Sequence, residues 1–361
     1  MSSTVSIGDK IVGTGHPTYV IAEMSGNHLQ DFDCAVRMLH EMKAAGADAV
    51  KLLTFTPDSI TLQCNKREFM IEKGTAWEGR NLYELYEELY APWGWQPKLM
   101  NLANELGMDL FSTPHDTKAV DFLDEMGVPA FKVASFELVD IPLIRYIAAK
   151  GKPVIISTGM GSIQEIQDAV DAVHSSENDQ IILLKCTSAY PAKPEEMNLA
   201  TIPDMMERFK LPVGLSDHSL EQEVPLTAVA LGACVIEKHF TLDRSKPGPD
   251  NAFSLEPNEF KEMVDAIRAQ EQSPTPGDKL NKTILGNVSY GASGQDKKSL
   301  QFRRSLFVVR NMQKGEIFSE ENVRSIRPAN GLPPKEFENV LGKKAAARIE
   351  RGTPLTWELV S

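Results

Sequence analysis

The sequence predicts an α/β protein: a (β/α)8 TIM barrel followed by a small C-terminal domain. Three observations predict it. Eight short β-rich runs alternate with amphipathic segments up to about residue 270. The runs are apolar almost throughout, as parallel strands covered on both faces must be. Each run also ends in polar residues, which a plain core would not need.

The runs are YVIAE (19–23), DAVKLLT (48–54), DLFST (109–113), AFKVAS (130–135), PVIIST (153–158), IILLKCT (181–187), PVGLSD (212–217) and ACVIEKHF (233–240). Between them, AVRMLHEMKAAG (35–46) is apolar at 35, 38, 39 and 42 and stops at a glycine. KAVDFLDEMG (118–127), IPLIRYIAAKG (141–151), IQEIQDAVDAVH (163–174) and EPNEFKEMVDAIRAQ (256–270) read the same way. Eight such units over about 250 residues fit a closed barrel. An open doubly wound sheet fits less well, because no GxGxxG follows the first run.

One spacing stands out. The second run starts at 48 and the third only at 109, so residues 56–95 must hold a loop with its own helix. This insertion carries Trp77, Trp93 and Trp95, three of the 4 tryptophans. It follows a strand, so it belongs on the catalytic face and is expected to form or cover the pocket. The barrel domain is read as 1–270, and residues 271–300, rich in Gly, Pro, Ser, Asn and Asp, as a linker. Residues 301–361 form a compact unit with short strands at 305–309 and 352–357. About 60 residues make a marginal core, so this unit is expected to dock on its own barrel or on a partner chain.

Composition narrows the function. Of 361 residues, 42% are hydrophobic and 24% charged, which rules out wholesale disorder. The net charge of −12 argues against general nucleic-acid or anionic-membrane binding. The 4 cysteines form no CxxC pair, so no disulfide framework or zinc finger is implied. MSSTVSIGDKIVG is no secretory signal, and no apolar run reaches the roughly 18 residues of a membrane helix. A cytoplasmic protein with reduced thiols is expected.

The strand ends supply the chemistry. They present Glu23, Lys51, Thr113, Lys132, Ser135, Glu137, Ser157, Ser188, Tyr190, Ser216, His218, Glu237 and His239 to one face. Any one of them could be a turn or cap residue, but eight strand ends behaving alike point to a site. Lys51 and Lys132 interrupt apolar strands, where an ammonium is costly unless it is paired or faces an anion. Three readings are open: an ion pair with Glu23 or Glu137, a cradle for phosphate and carboxylate, or a Schiff-base lysine. His218 and His239 end neighbouring strands about 4.8 Å apart, close enough to share one divalent metal. With only two imidazoles, oxygens must complete the shell, which suits Mn²⁺ or Mg²⁺ better than structural zinc. Cys186 reads as core filler.

Read together, IAEMSGNH (21–28), GADAVKLLT (46–54), FKVASFEL (131–138), LLKCTSAYP (183–191), VGLSDHS (213–219), GACVIEKHFTLD (232–243) and PGPD (247–250) resemble the sialic acid synthase family. RRSL, KGE and RPANGL resemble the antifreeze-like (SAF) domain that follows the barrel in that family. The insertion motif WEGRNLYELYEELYAPWGW is most like the pseudaminic acid synthase branch.

The resemblance implies that phosphoenolpyruvate condenses with the open-chain aldehyde of an N-acylated amino sugar and water. The products are a nonulosonic acid and phosphate, released by C–O cleavage. The sugar it favours is 2,4-diacetamido-2,4,6-trideoxy-L-altrose, with the acceptors of legionaminate and N-acetylneuraminate synthases as alternatives. It implies Lys51, Lys132, Ser135, Ser157, Ser188 and Ser216 as donors to the enol phosphate, with a divalent metal on His218 and His239. Glu23 would position water or a sugar hydroxyl, Tyr190 and Asp250 would contact the sugar, and Thr113 and Glu137 would line the site. Arg304 would reach the active site of the other subunit of a domain-swapped homodimer. Two positions depart from the family pattern: Leu53 stands where glutamine is usual, and Ser188 where several relatives have asparagine. Both bear on the sugar, and an apolar Leu53 would suit a deoxygenated one. A pyruvate aldolase and a sugar- or ice-binding protein are the competing readings.

Overall fold

The computed structural model describes residues 4–361. A hairpin, β1 (Thr4–Ile7) and β2 (Lys10–Gly13), comes first. It buries Val5, Ile7 and Val12, and Lys10 pairs with Asp109 at 2.9 Å at the start of a barrel strand.

Eight parallel strands then close a barrel: β3 (Tyr19–Glu23), β4 (Ala49–Thr54), β5 (Asp109–Pro114), β6 (Phe131–Val133), β7 (Val154–Ser157), β8 (Ile181–Cys186), β9 (Val213–Asp217) and β10 (Val235–His239), with β10 pairing back onto β3. These strands are buried on both faces, which is why they read as continuous apolar runs. The surrounding helices each bury one stripe. In Phe32–Ala44 the buried positions are Cys34, Ala35, Met38, Leu39 and Met42, and Asp31 caps the first turn.

Register decides what meets inside. Glu23 lies opposite Lys51 on one side and His239 on the other, and Glu237 lies opposite Ser216. Alternate residues of a strand share a face, so Glu237 and His239 point inward together. Gly214 shares the face of Ser216. A Cβ there would come within 2.5 Å of the Val235 carbonyl oxygen, so only glycine fits.

The insertion folds as expected, around a helix at Leu82–Leu89 capped by Asn81. Residues 271–300 are more than a tether. Leu199 and Ala200 donate backbone hydrogen bonds to Ile284 and Leu285, and Gly291 donates to Gly161, so this segment is strapped along the barrel. The C-terminal unit holds a three-stranded sheet of β11 (Ser305–Val308), β12 (Val323–Ile326) and β13 (Thr353–Pro354) around its own small core. It packs on the barrel of its own chain. Phe307 and Ile326 meet Leu62 and Phe69 of the insertion, and Ser325 donates to Asp140 at 2.6 Å. Among the described residues, no helix is long and apolar enough to cross a membrane.

Candidate active site

The C-terminal ends of the barrel strands open into a cavity of about 820 Å³, continuous with solvent. Ten of the expected residues line it: Glu23, Lys51, Lys132, Ser135, Ser157, Tyr190, Ser216, His218, His239 and Asp250. Four do not. Thr113 lies behind Lys51 and accepts from its ammonium at 3.4 Å. Ser188 is buried against Cys186 at 3.7 Å. Glu137 and Arg304 form a buried pair under the wall.

The two lysines share one carboxylate. Lys51 pairs with Glu23 and lies 3.4 Å from Glu237. Lys132 lies 4.0 Å from Glu237 and donates to Ser157 Oγ at 2.6 Å. Glu237 therefore takes the place of Glu137 as the second carboxylate beside the lysines. Burial pulls the Lys132 ammonium down to about 8, with Glu237 opposing that pull. Burial opposes ionisation of Glu237 too, but Lys132 and Lys51 outweigh it and lower its pKa. Burial leaves Glu23 higher than an ordinary carboxylate. Three hydroxyls, Ser135, Ser157 and Ser216, line the same cavity, and Ser216 donates to Glu237 at 3.2 Å. Gly159 packs against Ser135 and Ser188: a Cβ there would collide with Ser188 Oγ and come within 2.7 Å of Ser135 Oγ, and its N–H donates to Ser135 Oγ.

The imidazoles of His218 and His239 have ring centroids 5.3 Å apart. His218 Nδ1 lies 3.0 Å from the Thr187 carbonyl, which can only accept, so Nδ1 carries a proton and Nε2 is the nitrogen left to ligate when the ring is neutral. Burial opposes a charge on His218, while Cys186 and the Thr187 carbonyl raise its pKa. Burial, then the charges of His218 and Lys51, push His239 well down, and its buried Nδ1 has no partner. One ring oriented by a backbone carbonyl and an orphan nitrogen on the other are what a metal-ligating pair shows. Among the described residues there is no group of three or more His, Cys, Asp or Glu able to hold a metal. Two imidazoles could hold a cation such as Mn²⁺ or Mg²⁺ only if oxygens from outside the chain filled the rest of its shell.

The opposite wall is apolar. Leu53, Ile60, Trp77, Leu85, Leu89, Phe253 and Phe302 line it, several of them from the insertion. Trp77 packs its ring against Tyr190 at 5.3 Å and donates its N–H to the Pro249 carbonyl at 2.9 Å. Asp250 accepts from Ser25, and burial pushes its carboxyl up to about 6.

Within this chain the tail brings Arg327, and not Arg304, to the cavity of its own barrel. Arg304 is 3% exposed, held by Glu137 at 3.0 Å and the His115 carbonyl at 2.6 Å of the same chain, and does not reach the cavity. Arg327 does reach it. It makes a bidentate pair with Glu137 at 2.8 and 3.0 Å and donates to the Tyr86 hydroxyl at 3.0 Å. Burial opposes ionisation of Glu137, yet Arg327, His115 and Arg304 hold it well below the usual carboxylate range. Arg327 lies in RPANGL, so the segment was visible but the residue within it was not. Glu237 was also visible, two positions from His239 on the same face.

A model of the NeuB family matches residues 38–279, and a model of the SAF domain matches residues 303–361. The chain is 43% identical to a pseudaminic acid synthase of Campylobacter jejuni, over 95% of this chain and 96% of that one. It is 38% identical to an N,N'-diacetyllegionaminic acid synthase of Legionella pneumophila, over 97% of both. The crystal structure of the spore coat polysaccharide biosynthesis protein SpsE of Bacillus subtilis superimposes with a TM-score of 0.87 at 32% identity, covering 99% of each chain. A closed parallel barrel carrying this cavity, joined to an SAF domain, makes the chain a member of the NeuB family.

Proposed function

We propose that this chain is a nonulosonic acid synthase of the pseudaminic acid type. It joins phosphoenolpyruvate to the aldehyde of 2,4-diacetamido-2,4,6-trideoxy-L-altrose. C3 of the enol attacks the aldehyde carbon, water adds at C2, and the C2–O bond to phosphate breaks, giving the 2-keto acid and inorganic phosphate. The observation that carries this reading is the placement of two buried ammonium groups, Lys51 and Lys132, beside two imidazoles on one polar wall that faces an apolar one.

The chain's own groups divide the work. Lys51 and Lys132, with Ser135, Ser157 and Ser216, grip phosphate and carboxylate through charge-assisted hydrogen bonds. Glu23 and Glu237 sit where water or a hydroxyl must be oriented. His218 and His239 would hold a divalent cation, which supplies Lewis-acid polarisation of the aldehyde oxygen. Asp250 and Tyr190 face the sugar. Leu53, Trp77 and Phe253 offer an apolar surface to a deoxygenated carbon and acetamido methyls, as the similarity to pseudaminic acid synthases supports.

Phosphate release is the test. Phosphoenolpyruvate with the altrose should give phosphate far faster than with the matching mannose-configured diacetamido sugar or N-acetylmannosamine. Equal rates with all three would remove the sugar assignment. Borohydride with pyruvate should leave the protein unmodified, and a covalent adduct on Lys132 would favour an aldolase.

The working assembly is proposed as a homodimer that exchanges tails, since swapping replaces each tail–barrel contact with an identical one. Mixing unfolded Lys132→Ala and Arg327→Ala chains and refolding them together should restore activity. Exchange would pair an intact barrel with an intact tail. No recovery would show that each barrel uses its own tail.

A further inference from the structure

Beneath the two imidazoles lies a buried ion pair that the reaction above does not use. In the parallel register of β9 and β10, Lys238 stands opposite Asp217. Glu237 and His239 face the cavity, so Lys238 between them faces the helical layer, as Asp217 does beside Ser216. The two side chains are 1% and 0% exposed.

The Lys238 ammonium donates to Asp217 Oδ2 and to the Ser219 carbonyl. Asp217 Oδ1 accepts the Ser219 N–H at 2.8 Å. One ammonium therefore ties down the residues on both sides of His218. The residue after Lys238 is His239. The pair thus fastens the backbone that carries one imidazole to the backbone that carries the other.

Stability alone is a weak reason for this arrangement. Desolvating two charges is expensive, and an apolar pair of similar volume is often as stable. What an ion pair adds is direction: it accepts one geometry and rejects its neighbours. His218 needs that direction, because the oxygen that orients its ring is the Thr187 carbonyl at 3.0 Å, on a different strand's end. A small rotation of residues 217–219 would break that bond and swing the ring.

We propose that Asp217 and Lys238 are positioning residues that hold the His218 and His239 imidazoles at the spacing and tautomer needed to share one divalent cation. The inference rests on the metal reading above, and the experiment separates the two.

The double variant Asp217→Asn/Lys238→Met removes both charges and keeps volume, and the amide oxygen that replaces the carboxylate can still accept the Ser219 N–H. Mn²⁺ binding is followed by the paramagnetic resonance of the free ion. The ring nitrogens of the metal-free protein are followed by ¹⁵N–¹H correlation. Mn²⁺ affinity should fall about tenfold or more, the range typical when the groups that orient metal ligands are lost. The His218 resonances should move from one Nδ1–H form toward mixed tautomers. Binding of phosphoenolpyruvate without metal, read by tryptophan fluorescence, should stay within about twofold, and Lys238→Arg should recover part of the Mn²⁺ affinity.

A folded double variant with unchanged Mn²⁺ affinity and unchanged His218 resonances would overturn the proposal. Wild-type protein that binds no Mn²⁺ would overturn the metal reading instead, and the metal-free spectra would still decide the role of the pair. Should the double variant not fold, Lys238→Arg and Asp217→Asn are judged by the same two measurements.

Discussion

The cavity wall built by the barrel strands and the wall built by the 56–95 insertion and the tail are held by different forces. On the strand side, Glu23, Lys51, Lys132 and Glu237 are locked by backbone register, and each charge is paired with another. On the insertion side, Trp77 meets Tyr190, Phe253 and Phe302 through ring packing, and Arg327 is anchored by Glu137. Register fixes positions tightly, which suits a reaction whose charges must be met at set places. Side-chain packing on a loop tolerates exchange of one apolar group for another, which suits a surface that selects among similar sugars. The strand wall should therefore control rate and the insertion wall acceptor choice.

Changes to the strand wall should give the largest losses. Chelation with EDTA should abolish phosphate release and Mn²⁺ should restore it; full activity after chelation would take the cation out of the reaction. Lys132→Ala should reduce kcat/KM for phosphoenolpyruvate roughly a thousandfold, since breaking a buried charged contact costs roughly 3–5 kcal/mol. The same lysine predicts a pH profile. Its ammonium titrates at about 8 because burial disfavours the charge. The charged form that grips phosphate is present below that pH and is lost above it. kcat/KM for phosphoenolpyruvate should thus fall as pH rises through about 8, a limb governed by the free enzyme.

The insertion wall should give the smaller, more selective effect. Leu53 is carried by β4 but packs against the insertion's apolar cluster with Trp77, so Leu53→Gln places an amide on the insertion's side of the cavity lining, where the acceptor is proposed to lie. An amide without a partner costs roughly 1–3 kcal/mol. KM for the altrose should rise about tenfold, with kcat for phosphoenolpyruvate turnover changed much less. A fall in kcat as large as that in Lys132→Ala would erase the division between the two walls.

Much of this was legible in one dimension. The eight apolar runs and their polar ends identify the barrel and most of the cavity's polar residues, because strand ends of a closed barrel must converge. Glu137 and Arg304 were legible as charged residues but not as each other's partners. Nothing local separates Arg304 from Arg327: both are arginines in short tail segments, and docking alone selects which one enters the wall.

By itself, then, the sequence determined the barrel, the long insertion after its second strand and the set of amines, hydroxyls and imidazoles at its mouth. Periodicity and strand-end polarity are local properties that survive in the linear chain. Only the tertiary structure decided that Glu237 rather than Glu137 sits with the lysines, that Arg327 completes the cavity and that Asp217 pairs with Lys238 beneath the imidazoles. Those pairings depend on cross-strand register and on how the tail seats, and burial makes each of them matter because a charge left alone there is expensive.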